Sequence, residues 1–116
     1  MAYTRSYSAD APARADVDGW RGAAVLEFDT HWCGYCSGAQ PIIEAQLAPR
    51  DDIRHVKVED GPGRPLGRSY RIKLWPTLVV LRDGVEVARV VRPESAREIG
   101  DALSALERPD ADPAGH

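Results

Sequence analysis

Residues 23–36 read Ala23-Ala24-Val25-Leu26-Glu27-Phe28-Asp29-Thr30-His31-Trp32-Cys33-Gly34-Tyr35-Cys36, and this stretch decides the fold. Its first six residues are apolar except for one acid, the length and character of a strand buried on both faces. The polar Asp29-Thr30-His31 then leads to Trp32 and a cysteine pair. From Gly34 to Ala48 the residues favour helix, and Ile42, Ile43, Gln46 and Leu47 form an apolar stripe at helical spacing. Pro41 lies inside this helix, where it removes a hydrogen bond and should bend the axis. With a strand before and a helix after, Cys33 falls at the helix start and Cys36 one turn further in. Three-residue spacing puts both sulfurs on one helical face, close enough to bridge. The unpaired N–H groups and partial positive charge of a helix start favour a thiolate on Cys33, and the thiolate is the reactive form. Gly34 leaves the sulfur open to a large disulfide partner.

Working outward, residues 3–8 alternate aromatic and polar side chains and are expected to form an edge strand. Residues 13–17 read as a short helix. Beyond Ala48, residues 49–52 end the long helix and 53–58 alternate as a half-buried strand. Asp60-Gly61-Pro62-Gly63-Arg64-Pro65 is a loop by composition, and 66–72 a short helix. Trp75-Pro76 precedes residues 77–81, the strongest strand pattern in the chain. Asp83-Gly84 turns it into a hairpin with 85–91. Pro93 suits the first position of a last helix, whose buried stripe is Ile99, Ala102, Leu103 and Leu106. The Pro-, Asp- and Ala-rich residues 107–116 are expected to fray as a flexible tail. The result is an α/β fold: a mixed sheet of four to five strands with helices on both faces, in one domain over 1–106.

Composition narrows the function. The chain has 116 residues, 43% hydrophobic and 28% charged, an ordinary globular balance. Eighteen acids against fifteen Lys and Arg give a net charge of −3, which argues against a nucleic-acid partner. No stretch approaches the ~18 apolar residues of a membrane span. The first residues lack an apolar signal core, so a cytoplasmic monomer is expected. Two cysteines make no disulfide framework, and a domain of this size needs none.

The pair itself has rival readings. A tetrahedral zinc site needs four ligands, and beyond the cysteines only His31, His55 and His116 offer imidazole. His31-x-Cys33-x-x-Cys36 leaves a three-ligand metal site conceivable. A c-type haem needs His after the second cysteine, where Ser37 stands. An inert structural pair is at odds with a helix start. Redox use fits best, with no cofactor.

Over residues 20–106 the chain resembles the thioredoxin family. The resemblance rests on an ordered set: Glu27 and Phe28 on the buried strand, Trp32-Cys33-Gly34-Tyr35-Cys36, Pro41 five residues later, Tyr70-x-Ile72, Trp75-Pro76-Thr77 and Asp83-Gly84. It implies a thioredoxin fold and thiol–disulfide exchange with protein disulfides. Cys33 would be the nucleophile and Cys36 the resolving thiol, with a separate reductase recycling the dithiol. Glu27 takes the place of the family's buried acid, usually Asp, which moves the proton of the second cysteine. Lys57 matches the lysine paired with that acid across the sheet. Pro76 matches the cis-proline beside which a substrate backbone adds as a strand. Trp32, Gly34, Tyr35 and Trp75 would form the substrate rim.

Four departures stand out. Tyr35 replaces the usual proline, and the Gly-Tyr pair is similar to that of bacterial disulfide isomerases, which points to a more oxidising couple. Asp29 stands where an aromatic is frequent, and its charge should oppose thiolate formation. Trp75 is larger than usual before the proline. Arg92 replaces a frequent glycine, either crowding the groove or lending it positive charge. A reductase is the leading function. The alternative is a binding or chaperone module whose apolar groove does the work.

Overall fold

The computed structural model describes residues 3–108. The elements in chain order are α1 (Arg14–Asp18), β1 (Ala23–Asp29), α2 (Gly34–Leu47), β2 (Ile53–Glu59), α3 (Pro65–Ser69), β3 (Thr77–Arg82), β4 (Val85–Val91) and α4 (Ala96–Leu103), closed by a 3-10 turn over Ser104–Glu107. The sheet has four strands in the order β2-β1-β3-β4. β1 pairs β2 in parallel, and both the β1–β3 and β3–β4 pairs are antiparallel.

Because side chains alternate across a strand, β1 divides its residues between two cores. Val25 packs with Ile43 and Leu47 of α2 and with Ile99 and Leu103 of α4. Ala24, Leu26 and Phe28 face Val17 of α1, Leu66 of α3 and Tyr70 on the other side. β1 is buried on both faces, as its apolar run requires, whereas edge strand β4 is largely open to solvent. Continuing the alternation from Val25 puts Glu27 and Asp29 on the α2 side, and both are buried.

Four expectations need correction. Residues 3–8 form no strand, so the sheet stops at four. Ser8 N–H does donate to the Lys57 carbonyl at 2.8 Å, but Thr4 N–H turns to Nδ1 of His55 at 2.8 Å and the Lys57 ammonium reaches the Arg5 carbonyl at 3.2 Å. Side chains of β2 thus hold this arm, and the ladder is not extended. α3 ends at Ser69, because Arg71 adopts a left-handed φ of 57° that a helix cannot carry. α4 starts at Ala96 and not at Pro93. Its cap is Ser95, whose hydroxyl accepts from Glu98 N–H while the Glu98 carboxylate accepts from Ser95 N–H. β1 and β2 also run one residue longer than their apolar patterns, to Asp29 and Glu59. Of the expected tail, Glu107 closes the 3-10 turn and pairs with Arg50 at 3.4 Å. Residues 109–116, His116 included, lie outside the described residues.

Candidate active site

Cys33 caps α2: its own backbone is extended, and its sulfur accepts a hydrogen bond from Cys36 N–H at 3.4 Å. The two cysteines are free and lie 3.1 Å apart. Cys33 N–H is in turn fixed by the Thr30 carbonyl at 3.3 Å, which ties the cap to the end of β1. The Cys33 thiol points at the Trp75 carbonyl, 3.7 Å away. The Trp75–Pro76 peptide bond is cis.

The two thiols differ in acidity. For Cys33, burial works against ionisation. Hydrogen bonds from the Cys36 thiol and from Cys36 and Tyr35 N–H, with the charge of Arg92, outweigh it and hold the thiol below its ordinary value. Cys36 is pushed well up, first by burial, then by donating its hydrogen bond to Cys33 and by the neighbouring Asp29 and Cys33 charges. One helix turn therefore presents two thiols displaced in opposite directions, Cys33 the more acidic and Cys36 the less.

Behind the pair lies a buried polar network. The β1–β2 register opposes Glu27 to Lys57, as the resemblance implies, but their side chains part. Glu27 Oε1 accepts from His55 Nε2 at 2.9 Å and its Oε2 from the Gln40 amide at 2.8 Å. Lys57 pairs instead with Asp29 Oδ2 at 3.6 Å. Because Thr4 N–H donates to His55 Nδ1, the His55 proton sits on Nε2. Burial first, then the Lys57 charge, lower the His55 pKa to about 4, so this imidazole is neutral. Asp29 is only 1% exposed. Burial, followed by the hydrogen bond that protonated Asp29 donates to Glu27 and by the like charge of Glu27, pushes its pKa up to about 9 against the opposing pull of Lys57. The expected negative charge at Asp29 is thus largely absent at neutral pH.

The groove side carries the remaining candidates. Trp32 and Tyr35 are 67% and 63% exposed, and Trp75 meets Trp32 edge-on at 5.6 Å while its indole N–H donates to Asp60 at 2.9 Å. Arg92 stacks its guanidinium over Tyr35 at 4.0 Å, and its Nε donates to the Trp75 carbonyl at 2.9 Å. Gly34 and Tyr35 border a shallow depression that extends to Gly38. His31 turns away to Glu59, 2.7 Å distant. Among the described residues no group of three or more His, Cys, Asp or Glu is placed to hold a metal ion. Gln40 escaped notice in the sequence, where His55 figured only as a candidate metal ligand. Gln40 lies one turn after Cys36 on the same helical face, and His55 opposes Val25 in the β1–β2 register, signals that become useful only once the parallel pairing is known.

Two free thiols of unequal acidity at a helix start are equipment for disulfide exchange, and on this sheet topology they define a disulfide oxidoreductase of the thioredoxin fold. The thioredoxin family model matches residues 11–105. Thioredoxin 2 of Pseudomonas aeruginosa, solved in its reduced form, is similar at 52% identity and a TM-score of 0.79, over 90% of this chain and 96% of that one. Thioredoxin of Chlamydia trachomatis is 35% identical over 60% of this chain and 69% of its own length. Thioredoxin H2-1 of rice is 31% identical over 58% of this chain, which spans only about half, 49%, of the rice protein. The chain belongs to the thioredoxin family. Its homologues are disulfide oxidoreductases, acting in general on disulfide-bearing substrates with a reductase as partner.

Proposed function

We propose that the protein is a protein-disulfide reductase in which Cys33 attacks and Cys36 resolves. The observation that carries this is the opposite displacement of two thiols 3.1 Å apart. The Cys33 thiolate attacks one sulfur of a substrate disulfide; a Cys33–substrate bond forms and the other substrate sulfur leaves as thiolate, taking a proton from solvent. Cys36, deprotonated, then attacks the Cys33 sulfur. The Cys33–Cys36 bond forms, the mixed disulfide breaks, and two electrons have passed to the substrate. A reductase returns them.

Trp32, Gly34, Tyr35 and Trp75 border the groove in this reading, and an extended substrate segment adds alongside Pro76. Lys57 assists from behind Cys36 through Asp29. Arg92 lends positive charge to Cys33, which supports a couple more oxidising than one without it. Residues 1–106 act as one domain. The setting we infer is a cytoplasmic monomer with neither nucleic acid nor membrane as partner. The net charge of −3 supports the first exclusion, and among the described residues no helix is long and apolar enough to cross a membrane.

Insulin reduction, read as turbidity with dithiothreitol as electron source, tests the assignment. Cys33→Ser abolishes catalysis, and Cys36→Ser accumulates mixed disulfides resolvable by mass. Full activity in Cys33→Ser refutes the mechanism. The exposed indole and phenol of Trp32 and Tyr35 favour a second reading, a binding module with secondary redox activity. Binding of an unfolded, disulfide-free protein by the Cys33→Ser/Cys36→Ser double variant at wild-type affinity is its signature.

A further inference from the structure

We propose that the proton acceptor and donor for Cys36 is Asp29, and not Glu27 at the family's acid position; this rests on the reading of Cys36 as the resolving thiol. The two acids stand two residues apart on β1 and share the face toward α2, but the strand carries Asp29 one repeat, about 6–7 Å, closer to the cysteines. Glu27 is fully engaged: His55 and Gln40 each donate to one of its oxygens. Asp29 is not. Its Oδ2 accepts from Gln40 at 3.3 Å and faces Lys57 at 3.6 Å, while its Oδ1 is buried with no hydrogen-bond partner. A buried carboxyl oxygen that no donor supports favours the neutral acid over the carboxylate.

Space points the same way. A cavity of about 210 Å³ behind the cysteines has Asp29, Cys36, Thr30, Gln40 and Lys57 in its wall, and Glu27 is not part of it. Cys36 is also near enough to Asp29 that ionisation of this carboxyl raises the thiol. The groups that face Asp29 leave it the proton-exchanging one. Glu27, from its own strand, presses a proton onto it by hydrogen bond and like charge. From β2, Lys57 favours the carboxylate and His55 is neutral, its pKa lowered by burial to about 4. Tyr7, on the N-terminal arm, is held above its ordinary pKa by burial and then by Asp29, so its phenol stays protonated. His31, from the loop after β1, is turned to Glu59.

The steps balance. In the mixed disulfide, Asp29 first releases its proton to solvent by way of the cavity, and the carboxylate so formed takes the Cys36 proton. The Cys36 thiolate attacks the Cys33 sulfur, the Cys33–Cys36 bond forms, and the Cys33–substrate bond breaks with its electron pair leaving on the substrate sulfur. In the return direction a reductase thiolate attacks Cys33, Cys36 leaves as thiolate, and protonated Asp29 neutralises it. Asp29 then regains its proton from solvent by way of the cavity.

Ellman's reagent isolates the step, because Cys33 releases one thionitrobenzoate in a concentration-dependent phase and Cys36 a second in a unimolecular phase. In wild type the second phase quickens with pH, levels off near pH 9 and ignores added formate. Asp29→Asn should slow the second phase tenfold or more at pH 7, keep the first within twofold, lose the plateau and gain acceleration by millimolar formate, a base small enough for the cavity. Glu27→Gln should retain the plateau and stay indifferent to formate. Lys57→Met, a variant that leaves both acids in place, should move the plateau to higher pH. A wild-type second phase in Asp29→Asn, or a loss of plateau with formate rescue in Glu27→Gln, overturns the proposal. Absence of the first phase in wild type overturns the Cys33 assignment on which it stands.

Discussion

Arg92 shows how much a single residue can reorganise this site. It follows β4 with a left-handed φ of 49°, its N–H donates to the Pro76 carbonyl at 2.8 Å, and its side chain spans the groove between Tyr35 and the Trp75 carbonyl. Three departures from the family pattern, Tyr35, Trp75 and Arg92, are therefore one cluster, with the guanidinium sandwiched over the phenol and hydrogen-bonded to the carbonyl that also receives the Cys33 thiol. The charge lies on the side of Cys33 and lowers its pKa. Arg92→Met keeps bulk and removes charge. It should raise the Cys33 pKa and slow alkylation by iodoacetamide at pH 7 by a factor of about three to ten, the scale of one partly screened charge. Thiolate absorbance at 240 nm against pH measures the titration directly. An unchanged midpoint removes Arg92 from the electrostatics of the thiol. Since a stabilised thiolate makes the dithiol form easier to reach, the same substitution should also make the couple more reducing when equilibrated with glutathione.

At the scale of elements, α4 is held in place by its start and by one face. Ser95 and Glu98 close a reciprocal cap, and Ile99 and Leu103 pack into the core that also seats α2. Ser95→Ala should cost about 1 kcal/mol, read as a lower urea midpoint with an unchanged slope, and leave insulin reduction intact because the cap is far from the thiols in function. Leu103→Ala should cost about 2–5 kcal/mol by cavity formation at a 3% exposed position. The elements were legible in proportion to their local physics. The two-sided apolar run of β1, the hairpin signal Asp83-Gly84 and the stripe of α4 each state their structure locally. Pro93 misled because a helix start is set by the whole capping box, and Ser95 with Glu98 outcompetes a proline that merely tolerates the first turn. The arm at residues 3–8 misled because alternation alone does not say whether a backbone ladder or side chains will take the partner. In the site, the cysteine pair was readable from spacing and Pro76 from the family resemblance. The partner exchange among Glu27, Asp29, His55 and Lys57 was not, since it depends on register and on two strands extending one residue past their apolar pattern.

The whole molecule carries the cost of that network, and pH exposes it. His55 is neutral in the fold, with its pKa lowered from 6.5 to about 4, so the unfolded chain binds the extra proton there. That part of the stability is complete above about 6.5 and is lost as pH falls toward 4. Asp29 has the opposite sign. Its pKa rises from 3.8 to about 9, so the fold holds a proton that the unfolded chain gives up. Its part is complete below 3.8 and is lost as pH rises toward 9. Between about 4 and 6.5 the two slopes oppose each other and stability should be nearly flat. Above 6.5 Asp29 acts without the histidine, and stability should fall by up to about 1.4 kcal/mol per pH unit, steepening above 8.5 as the unfolded Cys36 thiol, raised by burial in the fold, begins to ionise. The lowered Cys33 thiol works against the decline only below about 8.5, where it has ionised in the fold and not yet in the unfolded chain. Urea midpoints of the reduced protein from pH 5 to 9 measure the curve. Asp29→Asn removes the group that titrates, so its midpoint should stay level from 6.5 to about 8 and exceed that of wild type at pH 8. A wild-type curve already level over that interval would place the carboxylate of Asp29, and not its acid, inside the fold. The alkaline loss is the thermodynamic counterpart of the proton exchange assigned to Asp29: a carboxyl kept protonated beside Cys36 at neutral pH is available to the thiol, and the fold loses stability where the proton does.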